Sequence, residues 1–167
     1  MTDQDRNKAW GFSFFADDLR LELGNKSSLM GIYQADMLFP ESMKVPFLIS
    51  KLVIQIMYYE IVGAVDGDVT FRVTYGSNNQ TLAEAPILRA DISAAPVVPS
   101  NEEELERVVH FRIPIAISPF QITEAGRIRV RAHYSDDSIL KLGSIAIRRI
   151  TESEFSAVTG LPAIPQS

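Results

Sequence analysis

Arg127-Ile128-Arg129-Val130-Arg131-Ala132-His133-Tyr134 alternates without a break. In an extended chain Ile128, Val130, Ala132 and Tyr134 fall on one side and Arg127, Arg129, Arg131 and His133 on the other, because successive strand side chains point to opposite faces. A helix would scatter both sets around its circumference. The stretch therefore reads as a strand with one buried and one wet face, the pattern of an antiparallel sheet packed on one side.

The same period recurs elsewhere. In Asp68 to Tyr75, Val69, Phe71, Val73 and Tyr75 oppose Asp68, Thr70, Arg72 and Thr74. In Leu105 to Ser118, Val109, Phe111, Ile113, Ile115 and Ile117 share a face, and Pro114 sits on the other. Proline has no N–H for a ladder bond, so that strand lies at an edge or carries a bulge. Ile139 to Ile150 changes phase near Gly143, which predicts a bulge. The expected core is Val69, Phe71, Val73, Ile128, Val130, Phe111, Ile113 and Ile115. Trp10, Phe12 and Phe14 also share a face at period two and are expected to fill the core. The competing reading of such aromatics is stacking on sugars or bases from an exposed position.

Gly24-Asn25, Asp66-Gly67 and Ser135 to Ser138 read as hairpin turns, since Gly and Asn accept positive φ cheaply. Pro40 to Pro46 and Gly76 to Gln80 read as looser connections, and Ala94 to Glu106 as an exposed acidic loop. Thr151-Glu152-Ser153-Glu154 is a capping box, with Gly160 as a stop signal, and predicts a helix over 152–159. About seven or eight strands with one short C-terminal helix predict an all-β fold, an antiparallel β-sandwich. A partly open barrel is the alternative. The expected organisation is a flexible N-terminus over 1–9, one sandwich domain over 10–160 and a tail over 161–167.

The 167 residues carry 16 Lys and Arg against 21 Asp and Glu, a net charge of −5. Phosphate-backbone binding needs a clustered cationic excess, so a nucleic-acid partner is not expected. The absence of cysteine removes disulfides, thiolate chemistry and Cys-based metal sites. Met1 to Lys8 has no apolar core and does not read as a secretory signal. Leu48 to Val65 is interrupted by Lys51, Gln55 and Glu60 and reads poorly as a membrane span. A cytoplasmic protein with no membrane partner is the default expectation.

Phe14-Phe15-Ala16-Asp17-Asp18-Leu19-Arg20-Leu21-Glu22, followed by Asn25-Lys26-Ser27-Ser28-Leu29-Met30-Gly31-Ile32-Tyr33, resembles the opening of a family of small uncharacterised bacterial proteins, a domain of unknown function. Later in the chain, Glu124-Ala125-Gly126 before the alternating strand carries a weaker likeness. The resemblance implies a bacterial, cytoplasmic, stand-alone sandwich and implies no catalytic residue.

Four sets of residues invite chemistry. Asp66, Asp68, Asp136 and Asp137, with Glu102 to Glu104, fall in loops that an up-and-down order gathers at one pole, where a hard cation would find oxygens. Turn chemistry explains the same aspartates without a metal. Asp17 and Asp18 are expected to end a strand and bond the bend before Leu19. Arg127, Arg129, Arg131 and His133 form a basic ladder that suits an anion or an acidic partner. Its plainer reading is a solvated face paired with acids across the strands. His110 and His133 lack any metal-ligand spacing, and no phosphate loop or nucleophile elbow occurs. The expectation is a non-enzymatic chain with no cofactor and no resident metal. It would bind or assemble through a sheet edge, with a protein partner or a second copy. A small-ligand or carbohydrate-binding module is the alternative, and a metal-dependent enzyme a more distant one.

Overall fold

The ladder 127–134 forms most of strand β11 (Gly126–Tyr134) in the computed structural model, which describes residues 8–24, 26–88, 90 and 108–160. Its neighbours are β12 (Ile139–Ile150) and β7 (Val69–Tyr75), both antiparallel to it. With β8 (Gln80–Ile87) beyond β7, and β4 (Asp36–Pro40) parallel to β12, they form a five-stranded sheet in the order β4-β12-β11-β7-β8. Facing it is a three-stranded antiparallel sheet of β1 (Ala9–Ala16), β6 (Leu52–Ile61) and β9 (Val108–Ile117), in that order. Two ribbons complete the fold. One pairs β2 (Asp18–Glu22) with β3 (Lys26–Met30), and the other pairs β5 (Phe47–Ile49) with β10 (Phe120–Ile122).

The fold is thus an all-β sandwich. The described residues hold twelve strands, eight of them in the two principal sheets, more than the seven or eight that alternation suggests. Short β4, β5 and β10 carry too few residues to display a period. The core lies between the two sheets. Val69, Phe71, Val73, Ile128 and Val130 are buried there, as expected. Tyr58 of the smaller sheet meets Phe71 of the larger edge-to-face, centroids 5.1 Å apart. Phe111, Ile113 and Ile115 pack against this core but are only half-buried. The reason is position: among the described residues β9 is an edge strand, one of the two outcomes Pro114 predicts, and no described strand covers its outer flank.

The predicted bulge is present. Register between β11 and β12 slips between Val130 and Arg131, opposite Gly143, whose φ is +134°. A Cβ on Gly143 would lie 3.6 Å from the backbone nitrogen of Ser13, so the bulge brings β12 against β1 where the sheets meet.

Ser135 to Ser138 forms the expected hairpin turn, where Tyr134 N–H donates to Ser138 O at 3.1 Å. Gly76 to Gln80 is also a hairpin, since β7 and β8 pair antiparallel on either side of it. Asp66-Gly67 is not a hairpin turn. Gly67 does take positive φ, but β6 and β7 belong to different sheets, so the segment crosses between layers. Helix α1 (Glu152–Thr159) has its capping box, and Gly160 closes it in the left-handed region. The expected flexible N-terminus does not reach residue 9: Lys8 O accepts from Ile61 N–H, and Ala9 begins β1. Segments 1–7, 94–106 and 161–167 lie outside the described residues. Among the described residues no helix is long and apolar enough to cross a membrane.

Candidate functional site

The outer faces of the two sheets differ in kind. On the smaller sheet the register places Trp10, Tyr59 and His110 in one row, Phe12, Met57 and Arg112 in the next, and Phe14, Gln55 and Pro114 in a third. Trp10 stacks on Tyr59 with centroids 5.5 Å apart, and Tyr59 stacks on His110 at 4.5 Å. Phe12 and Phe14 meet edge-to-face. Trp10, Phe12 and Phe14 are 40%, 43% and 39% exposed, so the expectation that they fill the core is overturned.

The physical reason lies on the other side of β1. Gly11 and Ser13 point inward, where the β12 bulge leaves no room: a Cβ on Gly11 would come within 2.8 Å of Leu142 Cδ2 and closer still to the Met57 carbonyl. Alternation groups residues by face but does not say which face is inside. The small residues at 9, 11 and 13 were the signal that could have decided it.

Ribbon β2–β3 leans over this face. Arg112 donates to Ser27 Oγ at 3.3 Å. Between ribbon and sheet is a groove of about 300 Å³ lined by Leu19, Leu21, Gln55, His110, Arg112 and Pro114, among others. Gln55 is only 2% exposed. Gln55 Oε1 and His110 Nε2 have no hydrogen-bond partner among the described residues. Desolvation, reinforced by Arg112, holds the His110 imidazole below its usual pKa.

The larger sheet carries the basic ladder. Arg127 faces Ala146 across the ladder to β12. Arg129 lies between Ser144 and Thr74, Arg131 between Lys141 and Arg72, and His133 between Ile139 and Thr70. None of the four meets an acid in register, so the plainer reading of cross-strand compensation fails here. Instead three cations, Lys141, Arg131 and Arg72, stand side by side, and only Arg72 reaches a carboxylate, Glu84 on β8. Arg127 donates to Ser144 Oγ at 2.9 Å. Arg129 donates to Gly76 O and Asn79 Oδ1 at 3.3 and 3.2 Å. Arg131, Lys141 and His133 have no hydrogen bond or ion pair among the described residues. A groove of about 280 Å³ opens here, lined by Arg72, Thr74, Asn79, Thr81, Arg131 and His133. Desolvation first, then repulsion from Arg72 and Arg131, lowers the His133 pKa, and Glu84 opposes this in part. Arg72, Lys141 and Asn79 escaped the sequence reading because strand register, which brings them to the ladder, is not written in any one strand.

The acidic loops do share a pole in part. Asp66, Asp136 and Asp137 line one depression of about 740 Å³ together with Lys8 and Tyr134. Asp136 Oδ1 accepts from Ser138 N–H at 3.0 Å, and the Ser138 hydroxyl first and this turn bond second hold its carboxyl below the usual value. Asp68 does not line the depression, and Glu102 to Glu104 lie outside the described residues. Among the described residues no three His, Cys, Asp or Glu side chains gather as a metal set. Asp18 bonds the bend as expected, accepting from Leu19 N–H at 2.9 Å, and pairs with Lys51 at 2.7 Å, but neither aspartate ends a strand: β1 stops at Ala16 and Asp18 opens β2. His110 and His133 stand on different sheets and do not converge.

No protein-family model matches the chain. A search of curated proteins likewise finds no match.

Proposed function

We propose that the protein is a non-enzymatic binding module that assembles with a second copy of itself through the outer face and free edge of the β1–β6–β9 sheet. One observation carries this reading: Trp10, Phe12 and Phe14 point outward on one strand and join Met57 and Tyr59 in a contiguous apolar surface. Contiguous apolar patches on a folded surface mark interaction sites, and aromatic residues and Met are enriched where interfaces form. The nine outward positions in those three rows include no carboxylate, although the chain is acidic overall. Two such faces meet without acidic repulsion, and β9 offers an edge where strands add. The free edge of β1 is the poorer choice near Ser13, because the β12 bulge lies against it.

Size-exclusion chromatography with light scattering, run over a range of concentrations, tests this. The wild-type chain is expected to self-associate, and a Phe12→Ser, Phe14→Ser double variant to remain a folded monomer. A wild-type chain that stays monomeric at every concentration sinks the reading.

A second reading rests on the groove beneath β2–β3, where Gln55 Oε1 and His110 Nε2 stand unpartnered. A small hydroxyl-bearing ligand, such as a sugar, supplies donors to such acceptors. A thermal-shift panel of neutral sugars separates the two, since a ligand that binds only the folded state raises Tm.

A further inference from the structure

We infer that the groove on the outer face of the five-stranded sheet is a binding site for a small phosphate-bearing anion, gripped jointly by Arg131 and Arg72. It lies on the opposite sheet from the proposed assembly face, so neither reading depends on the other.

Arg131 stands in register with Arg72 on one side and Lys141 on the other. Like charges directly opposite on a sheet repel, and among the described residues only Glu84, at the far side of Arg72, offsets the row. An anion between Arg72 and Arg131 converts that repulsion into two charge-assisted contacts. Directly opposed residues have Cβ atoms about 4.5–5.5 Å apart, so two guanidinium forks reach one tetrahedral group.

Among the described residues Arg131 has no hydrogen-bond or ion-pair partner, which leaves its five N–H donors for a ligand. Arg72 uses Nε on Glu84, which leaves its two terminal nitrogens. Asn79 accepts from Arg129 through Oδ1, which leaves its NH2 group as the unused part of the amide. That bond also fixes Asn79 at the head of the groove, where its φ of +52° belongs to the β7–β8 hairpin. Thr74 and Thr81 add hydroxyls. Donors crowd the groove, and among the described residues its nearby carboxylate, Glu84, is already engaged by Arg72. Such a lining selects an anionic ligand rich in acceptor oxygens, as a phosphate group is.

About 280 Å³ is at the small end of ligand sites, which run from about 300 to 1,000 Å³. A phosphorylated sugar or free phosphate suits it. A nucleic acid does not, since the cations form one short row on a chain with a net charge of −5.

The test is a 1H–15N titration at constant ionic strength, with sodium chloride exchanged against inorganic phosphate and, in parallel arms, glucose 6-phosphate and glucose. Saturable shifts are expected for the two phosphate-bearing probes at β7, β11 and the β7–β8 hairpin, and none for glucose. Tighter binding of glucose 6-phosphate would assign the natural ligand to phosphomonoesters, and tighter binding of phosphate to the free ion. Arg131→Gln and Arg72→Gln are each expected to weaken phosphate by about tenfold or more, the scale of a lost charged hydrogen bond. Arg127→Gln, outside the groove lining, should leave affinity within about twofold of the wild type. Shifts that never saturate, that glucose reproduces, or that persist unchanged in either folded groove variant would overturn the assignment.

Discussion

The outer face of the three-stranded sheet and the outer face of the five-stranded sheet are built by one rule and end as opposites. Each is half of a period-two strand pattern, yet one presents Trp10, Phe12, Phe14, Met57 and Tyr59 and the other Arg72, Arg127, Arg129, Arg131 and Lys141. On β11 the two halves differ in polarity, so water chooses the arginine side. On β1 the halves differ in size instead: Gly11 and Ser13 against large aromatics. There packing chooses, and the tight seam with Leu142 and Gly143 admits only the small side. Burial is thus decided by transfer free energy in one strand and by steric exclusion in the other.

The largest expected difference contrasts an inner ring with an outer one. Phe71→Ala should lose about 3–5 kcal/mol, because Phe71 is fully buried and its removal leaves a cavity. Phe12→Ala should lose about 1 kcal/mol or less, mainly its edge contact with Phe14. Urea denaturation of both variants measures the contrast. Equal losses would mean that β1 does not present its aromatics to solvent.

Next in size is the seam itself. Gly11→Ala should destabilise by about 1–3 kcal/mol, since the new methyl meets Leu142 Cδ2 at 2.8 Å and crowds the Met57 carbonyl. Chemical denaturation again reads the result. A neutral Gly11→Ala would remove the steric reason for the outward turn of the aromatics.

These contrasts mark how far the sequence is legible. The sandwich, the edge position of β9, the bulge at Gly143 and the capped helix all follow from local signals: a period, a missing N–H, a phase slip, a capping box. What is not local was not legible. Asp66-Gly67 carries the chemistry of a tight turn whether its strands pair or part. The charge row Lys141–Arg131–Arg72 exists only through the registers of β11 with β12 and β7. The basic ladder was visible as a ladder, but its lack of acidic partners was not.

A smaller effect tests that row. Arg131→Gln should leave stability unchanged or raise it by up to about 1 kcal/mol, because it relieves like-charge neighbours on both sides. The gain should shrink as salt is raised, since screening already weakens the repulsion at an exposed face. Thermal melts at low and high salt measure it. A clear loss of stability at low salt would mean that Arg131 holds a favourable contact.

The smallest expected effect uses the one histidine on each face. Desolvation comes first in both, then Arg112 at His110, and Arg72 and Arg131 at His133. Both imidazoles therefore titrate below their unfolded value of about 6.5. Between the folded and unfolded pKa values the unfolded chain binds more protons, so stability rises with pH across that window. Each contribution is intact above the unfolded pKa and is lost as pH falls toward the folded one. The groups facing His133 are Arg131 on its own strand, Thr70 and Arg72 on β7, Glu84 on β8, and Ile139 and Lys141 on β12. Arg131→Gln removes one of the cations that depress it, so the His133 pKa should rise while that of His110 stays fixed. Saturating phosphate should raise His133 as well, by bringing negative charge into the groove it lines. Following the two imidazole Cε1 protons by NMR through a pH titration separates the faces. If Arg131→Gln moves both resonances together, the two faces are not electrostatically independent; if it moves neither, the basic groove does not act on His133.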